Sequence, residues 1–186
     1  MTTYTLVYPP AHNATYVKAT SEYSANYYPY FATDPAKSLT GTAVGNQWTS
    51  NASTNQRFHI DLGEAKIIRR LYYENGHESG AGTNAGCKDF TLWGSNNAAA
   101  FVELTYGTDT NWTQLTTAQS SFDQHSAVDA VDPKYILVTN TVAYRYYAIK
   151  ISTNWGYASY MWLRRIVLMT EDGYGMVTFI PRPIFF

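Results

Sequence analysis

The chain has 186 residues, with 13 Lys+Arg against 14 Asp+Glu and a formal net charge of −1. Charged residues make up only 15 % where about 25 % is usual, so neutral polar side chains (Thr, Ser, Asn, Tyr) must wet the surface. The 17 Tyr, 8 Phe and 5 Trp exclude a solvated coil, no apolar run reaches the ~20 residues of a membrane span, and no basic face is offered to nucleic acid.

In chain order, β-branched and aromatic runs separated by Gly/Asn/Ser/Asp clusters predict strands. They fall at Tyr4–Tyr8, Arg57–Leu62, Lys66–Tyr73, Asp89–Gly94, Trp112–Thr116, Tyr135–Thr139, Tyr144–Ser152 and Trp162–Met169. Phe58, Ile60 and Leu62 alternate with His59 and Asp61, and Tyr147, Ile149 and Ile151 alternate with Tyr146, Ala148 and Lys150. That period of two belongs to half-buried strands. Asn97–Leu104 reads either as a short capped helix or as a strand-flanking loop. Three loops are expected at Tyr23–Asn46, Asn75–Gly86 and Asn154–Met161. The class is all-β, a two-sheet sandwich or jelly roll.

Several chemistries are excluded by pattern. Cys87 is the sole cysteine, so no intramolecular disulfide or multi-cysteine zinc site can form. His12, His59, His77 and His125 have no metal-ligand spacing, and no nucleophile elbow, phosphate loop or dinucleotide fingerprint is present. No catalytic residues are expected. Three Asn-x-Ser/Thr sequons, at Asn13, Asn51 and Asn111, are read as chance in a chain rich in Asn and Thr. The N-terminus shows no secretory pattern, and the expectation is synthesis in a reducing cytoplasm.

The landmarks occur in a particular order. Gln47-Trp48-Thr49-Ser50 follows a Tyr-rich loop; Phe58-His59-Ile60-Asp61-Leu62-Gly63, Phe90-Thr91-Leu92-Trp93-Gly94-Ser95 and Trp112-Thr113-Gln114-Leu115 come next. Tyr144-Arg145-Tyr146-Tyr147-Ala148-Ile149 and Leu163-Arg164-Arg165-Ile166-Val167-Leu168 close the series. This succession, over about residues 14–170, resembles the discoidin or coagulation factor V/VIII type C domain and its family 32 carbohydrate-binding-module relatives. The resemblance implies a jelly-roll β-sandwich of the galactose-binding type that binds ligands through loops at one end and has no catalytic centre. It also implies a core role for Trp48. Many such modules hold a structural calcium with an early Asp and a late Glu. Here Asp34, with Thr40 and Thr42, would supply ligands, but Arg165 stands at the late acidic position. The expectation is therefore no cofactor, a reduced calcium site, or an Arg165–Asp34 ion pair in place of the ion.

Sugar recognition needs aromatic faces for the C–H side of a pyranose and orientable polar groups for its rim. The loops offer Asn26, Tyr27 and Tyr28; His77 and Glu78; and Asn154, Trp155, Tyr157 and Tyr160. Trp93 and Trp112 lie on strands and are expected to pack. The expected organisation is an N-terminal arm (1–13), the sandwich (14–170) and an apolar C-terminal docking tail (171–186). The functional expectation is a non-catalytic adhesion or decoration module of a phage virion, present in several copies or as a homo-oligomer. Its partners would be a glycan and, through arm and tail, other virion proteins. The alternatives are a structural virion cement or adaptor, and a binding module from a secreted or cell-surface glycosidase.

Overall fold

The computed structural model describes residues 2–173; the expected docking tail lies outside the described residues from 174 onward. Among the described residues ten strands form: β1 (Tyr4–Val7), β2 (Val17–Ala19), β3 (Trp48–Thr49), β4 (Gln56–Lys66), β5 (Ile68–Asn75), β6 (Phe90–Ser95), β7 (Thr113–Thr117), β8 (Lys134–Thr139), β9 (Tyr144–Ile151) and β10 (Trp162–Glu171). All eight expected strands are among them. The two additions, β2 and β3, have three and two residues, too short to show a period. All the strand pairings are antiparallel, in the order β1-β10-β5-β8-β7-β6-β9-β4-β2, with β3 added to β10. The sheet curls into two layers, joined where β7 leaves β6 and pairs with β8 through Thr116↔Thr139 and Thr117↔Val138. It is the all-β jelly-roll architecture expected of a galactose-binding-like sandwich.

The strand period explains the core. Phe58, Ile60 and Leu62 of β4, Ile68, Leu71 and Tyr73 of β5, Tyr147, Ile149 and Ile151 of β9, and Ile166 and Leu168 of β10 meet between the layers. Trp48 is fully buried there, packed edge-on to Phe58 with its indole N–H donating to Ser21 O at 2.9 Å. Strand β9 is not half-buried as its alternation suggests. Its outer residues Tyr146 and Ala148 are covered by a second cluster with Ala100, Phe101 and Trp112. Asn97–Leu104 resolves in favour of helix: α1 (Ala98–Val102) is capped by Asn97, whose Oδ1 accepts from Ala99 N at 2.8 Å. Residues 4–7 of the expected N-terminal arm lie on the sheet, paired with Leu168–Glu171.

Antiparallel register sets where the loops go. Gln56 opens β4 opposite Ile151, the last residue of β9, and Phe90 opens β6 opposite the same residue. Asn75, the end of β5, faces Leu163 near the start of β10. Loops 20–55, 76–89 and 152–161 therefore gather at one end.

Candidate functional site

At that end an aromatic cavity of about 190 Å³ is lined by Tyr23, Tyr27, Thr49, Tyr160 and Trp162. Short β3 builds its floor. Thr49 pairs with Trp162, and its backbone ties in the preceding loop by accepting from Tyr23 N (2.8 Å) and donating to Tyr27 O (3.4 Å). The Thr49 hydroxyl is buried with no hydrogen-bond partner. A buried polar atom of that kind costs about 1–3 kcal/mol until something satisfies it. The rings form a continuous series. Tyr23 meets Tyr27 and Tyr160 edge-on at 5.9 and 5.7 Å, Tyr160 lies 4.5 Å from Tyr157, and Tyr160 stacks on Trp162 at 5.4 Å. Gly82, at φ +66°, lets the indole approach: a Cβ there would sit 2.7 Å from the Trp162 ring.

The 152–161 loop is shaped by one amide. Asn154 Oδ1 accepts from Gly156 N (2.9 Å) and Tyr157 N (3.1 Å), while Nδ2 donates to Tyr157 O (2.7 Å) and Tyr160 O (2.8 Å). All four of its hydrogen-bonding positions are used. Burial, then the Tyr157 hydroxyl beside it, raises the Tyr160 pKa to about 12. Burial also raises Tyr27, with the Glu78 carboxylate adding to the effect. Both phenols are therefore protonated, and so are O–H donors as well as acceptors, at neutral pH.

Of the residues expected from sequence, Tyr27 and Tyr160 line the cavity, with Tyr157 packed behind Tyr160. Asn26 is exposed on the loop beside Tyr27. Glu78 is partly buried and its Oε2 accepts from Ala43 N at 2.7 Å. The other four expected residues lie outside the lining of this cavity. Tyr28 turns away from Tyr27: it stacks on Tyr30 at 4.9 Å and lines a separate cavity of about 200 Å³ with Lys18, Glu22 and Leu104. His77 is fully buried against His125, its Nδ1 accepting from Gly80 N and its Nε2 bonded to Leu39 O, so it serves the loop. Asn154 is the staple just described. Trp155 is partly buried, with Lys88 over its ring at 4.9 Å and its backbone N–H on Gly86 O. Sequence reasoning missed Tyr23, Thr49 and Trp162. Tyr23 stood inside the Tyr-rich loop already singled out, whereas Trp162 read only as the start of a strand.

The calcium expected from the resemblance does not fit these residues. Calcium takes six to eight oxygens, carboxylates prominent among them; Asp34 is the single carboxylate of this set, and the oxygens around it already accept hydrogen bonds. Asp34 Oδ1 accepts from Ala36 N and Thr42 Oγ1 from Val44 N. Thr40 O accepts from Ser38 Oγ. The Lys37 carbonyl accepts from Arg165 Nη2 at 2.6 Å, and the Gly41 and Thr42 carbonyls from Arg164 Nη2 at 2.7 and 3.0 Å. The Arg165–Asp34 ion pair does not form either, since Arg165 turns to Lys37 O. Among the described residues no cluster of three His, Cys, Asp or Glu could hold an ion.

Residues 37–170 match DUF5000, a domain of unknown function. The chain belongs to the DUF5000 family. No curated protein sequence matches it. Solved structures do. The family 32 carbohydrate-binding module of NanJ from Clostridium perfringens, in complex with galactose, is similar at TM-score 0.60 and 13 % identity, over 90 % of this chain and 100 % of that one. A CBM32 from the GH89 protein of the same organism, in complex with GalNAc-β-1,3-galactose, gives TM-score 0.57 and 16 % identity over 82 % and 92 %. Chitosan-binding module 1 from a Paenibacillus chitosanase/glucanase gives 0.53 and 17 % over 83 % and 92 %. At these identities the likeness establishes the fold of this DUF5000 member, a CBM32-like sandwich.

Proposed function

We propose that this DUF5000 member is a non-catalytic carbohydrate-binding module whose ligand enters the Tyr23–Tyr27–Tyr160–Trp162 cavity. The observation that carries the reading is the open series of rings around a buried, unpartnered Thr49 hydroxyl. A pyranose presents an apolar face for Tyr and Trp rings, and its hydroxyls match phenolic O–H groups and the Thr49 oxygen. A non-catalytic role is supported by the lining. Glycoside hydrolysis in most families uses two carboxylates flanking the bond, and none of the residues lining the cavity is acidic. The fold is shared with modules solved in complex with galactose and with GalNAc-β-1,3-galactose.

At about 190 Å³ the cavity is smaller than the roughly 300–1,000 Å³ of drug-sized ligand pockets, so one sugar ring at modest affinity is the expected unit. Display of several copies on one particle, as on a virion, would raise avidity by roughly 10²–10⁴ without new contacts. The test is a glycan array probed with the multimerised chain beside Tyr160→Ala and Tyr28→Ala. Saturable binding lost in Tyr160→Ala and kept in Tyr28→Ala is the expected result. Binding lost only in Tyr28→Ala moves the site to the neighbouring cavity, and no binding to any glycan contradicts the reading.

A further inference from the structure

Arg164 has no solvent exposure, and among the described residues no carboxylate lies within ion-pair distance of its guanidinium. Burying a charge costs several kcal/mol unless the site compensates it. Here backbone carbonyls supply the hydrogen bonds, while the Glu78, Asp129 and Glu74 carboxylates favour the charge from beyond ion-pair distance. Arg164 Nη2 donates to Gly41 O (2.7 Å), Thr42 O (3.0 Å) and His77 O (3.3 Å), so one side-chain cation gathers carbonyls from two different loops. Gly41 reaches this position at φ +73°, and its own N–H donates to Asp129 Oδ1 at 2.6 Å. Those loops lead directly to the cavity. Ala43 N, next to the gripped Thr42, holds the Glu78 carboxylate, and Gly45 N donates to Asn26 O beside Tyr27.

We propose that Arg164 is a positioning residue of the aromatic cavity, a covalently attached cation that holds the 37–46 and 77–82 loops together and leaves their geometry independent of divalent metal. The inference rests on the carbohydrate-binding reading only for its functional consequence. The loop architecture can be tested without any sugar. Arg164→Lys keeps the charge but gives up the planar fork that reaches several carbonyls at once.

The experiment pairs native-state hydrogen exchange with a calcium titration. Arg164→Lys is expected to speed exchange at the Ala43 and Gly80 amides by roughly tenfold or more while the β9 amides keep their protection, because the loop opens locally without global unfolding. Unchanged loop protection in Arg164→Lys, or an equal loss across loops and β9, overturns the proposal. In the unaltered chain, millimolar CaCl₂ and EDTA are expected to leave the melting temperature unchanged. A saturable rise with CaCl₂ overturns the proposal without reference to any variant. On the glycan array, Arg164→Lys should weaken whatever signal the unaltered chain gives. Absence of any signal from the unaltered chain would sink the carbohydrate reading and leave the exchange result to decide the role of Arg164.

Discussion

Two regions of the molecule use the same device to opposite ends. On the outer face of β9, the excursion 96–112 is held by Arg57, which is fully buried and donates to Thr105 O (2.9 Å), Thr108 O and Asp109 Oδ1 (3.1 Å). At the loop end, Arg164 is buried as completely and grips Gly41, Thr42 and His77. The difference lies in the rings. Around Arg57 the aromatics face inward: Phe101, Trp112 and Tyr146 are at most 8 % exposed and form a closed cluster. Around the second site the tyrosines are open, with Tyr23 59 % exposed and Tyr27 and Tyr160 partly exposed around a cavity whose inner wall is the buried Trp162. A guanidinium fixes an irregular loop in both places, but only one loop system leaves apolar rings uncovered, and that is where a ligand has something to gain.

The largest effect expected from this contrast is on stability alone. Phe101→Ala should destabilise the fold by about 3–5 kcal/mol, the usual cost of emptying a buried aromatic site, with glycan binding by the remaining folded fraction unchanged. Denaturant unfolding and binding measured on the same preparation check it, and a binding loss beyond the unfolded fraction would merge the two regions. Acid should strike the closed region next. Burial lowers the His59 pKa from 6.5 to about 4; the hydrogen bond between its Nδ1 and Phe101 O opposes the shift, as does Glu103, while the Arg57 and Lys18 charges add to it. The unfolded chain takes up this proton near pH 6.5 and the folded one only near pH 4. Stability present above pH 6.5 is therefore lost progressively between the two, by about 3 kcal/mol in all. His59→Gln should flatten that part of the stability–pH curve, and an unchanged slope would remove His59 as its source.

Smaller changes belong to the open region. Asn154→Ala removes the amide that holds the backbone of Tyr157 and Tyr160, leaving partly buried backbone groups without that partner at about 1 kcal/mol, and should weaken glycan binding as the ring series loosens. A stability loss with full-strength binding would show that the rings keep their places without the staple. The smallest effect is expected for Trp155→Ala, whose ring is engaged by Lys88 outside the cavity lining. Its glycan binding should stay within about twofold, an energy difference below roughly 1 kcal/mol, and a complete loss would extend the site to that ring.

The sandwich was legible because its strands carry their signal locally. Phe58–Ile60–Leu62 and Tyr147–Ile149–Ile151 declare the inner face by alternation, and both triads are in the core. β3 was not legible: two residues have no period, and Thr49 joins the sheet only because Trp162 lies opposite it. The site was legible in composition and illegible in direction. Tyr27 and Tyr28 are adjacent and chemically identical, yet a loop backbone sends one toward Tyr160 and the other onto Tyr30. His77 and Asn154 look like ligand-binding groups in sequence because the chemistry that binds a sugar hydroxyl also binds a backbone N–H or carbonyl. Which of the two they meet is fixed by long-range contacts such as His77 with Leu39 and Arg164 with Gly41.

The most direct test of the central claim is a two-dimensional NMR titration of the isotopically labelled chain with the strongest glycan found on the array, recording backbone amides and the Trp indole N–H groups. The account predicts saturable shifts confined to the Trp162 indole and to the amides of Tyr23, Tyr27, Thr49 and Tyr160, with the Phe101–Trp112 region unmoved. Shifts centred on Tyr28, Tyr30 and Lys18, or on the closed cluster around Trp112, would contradict it.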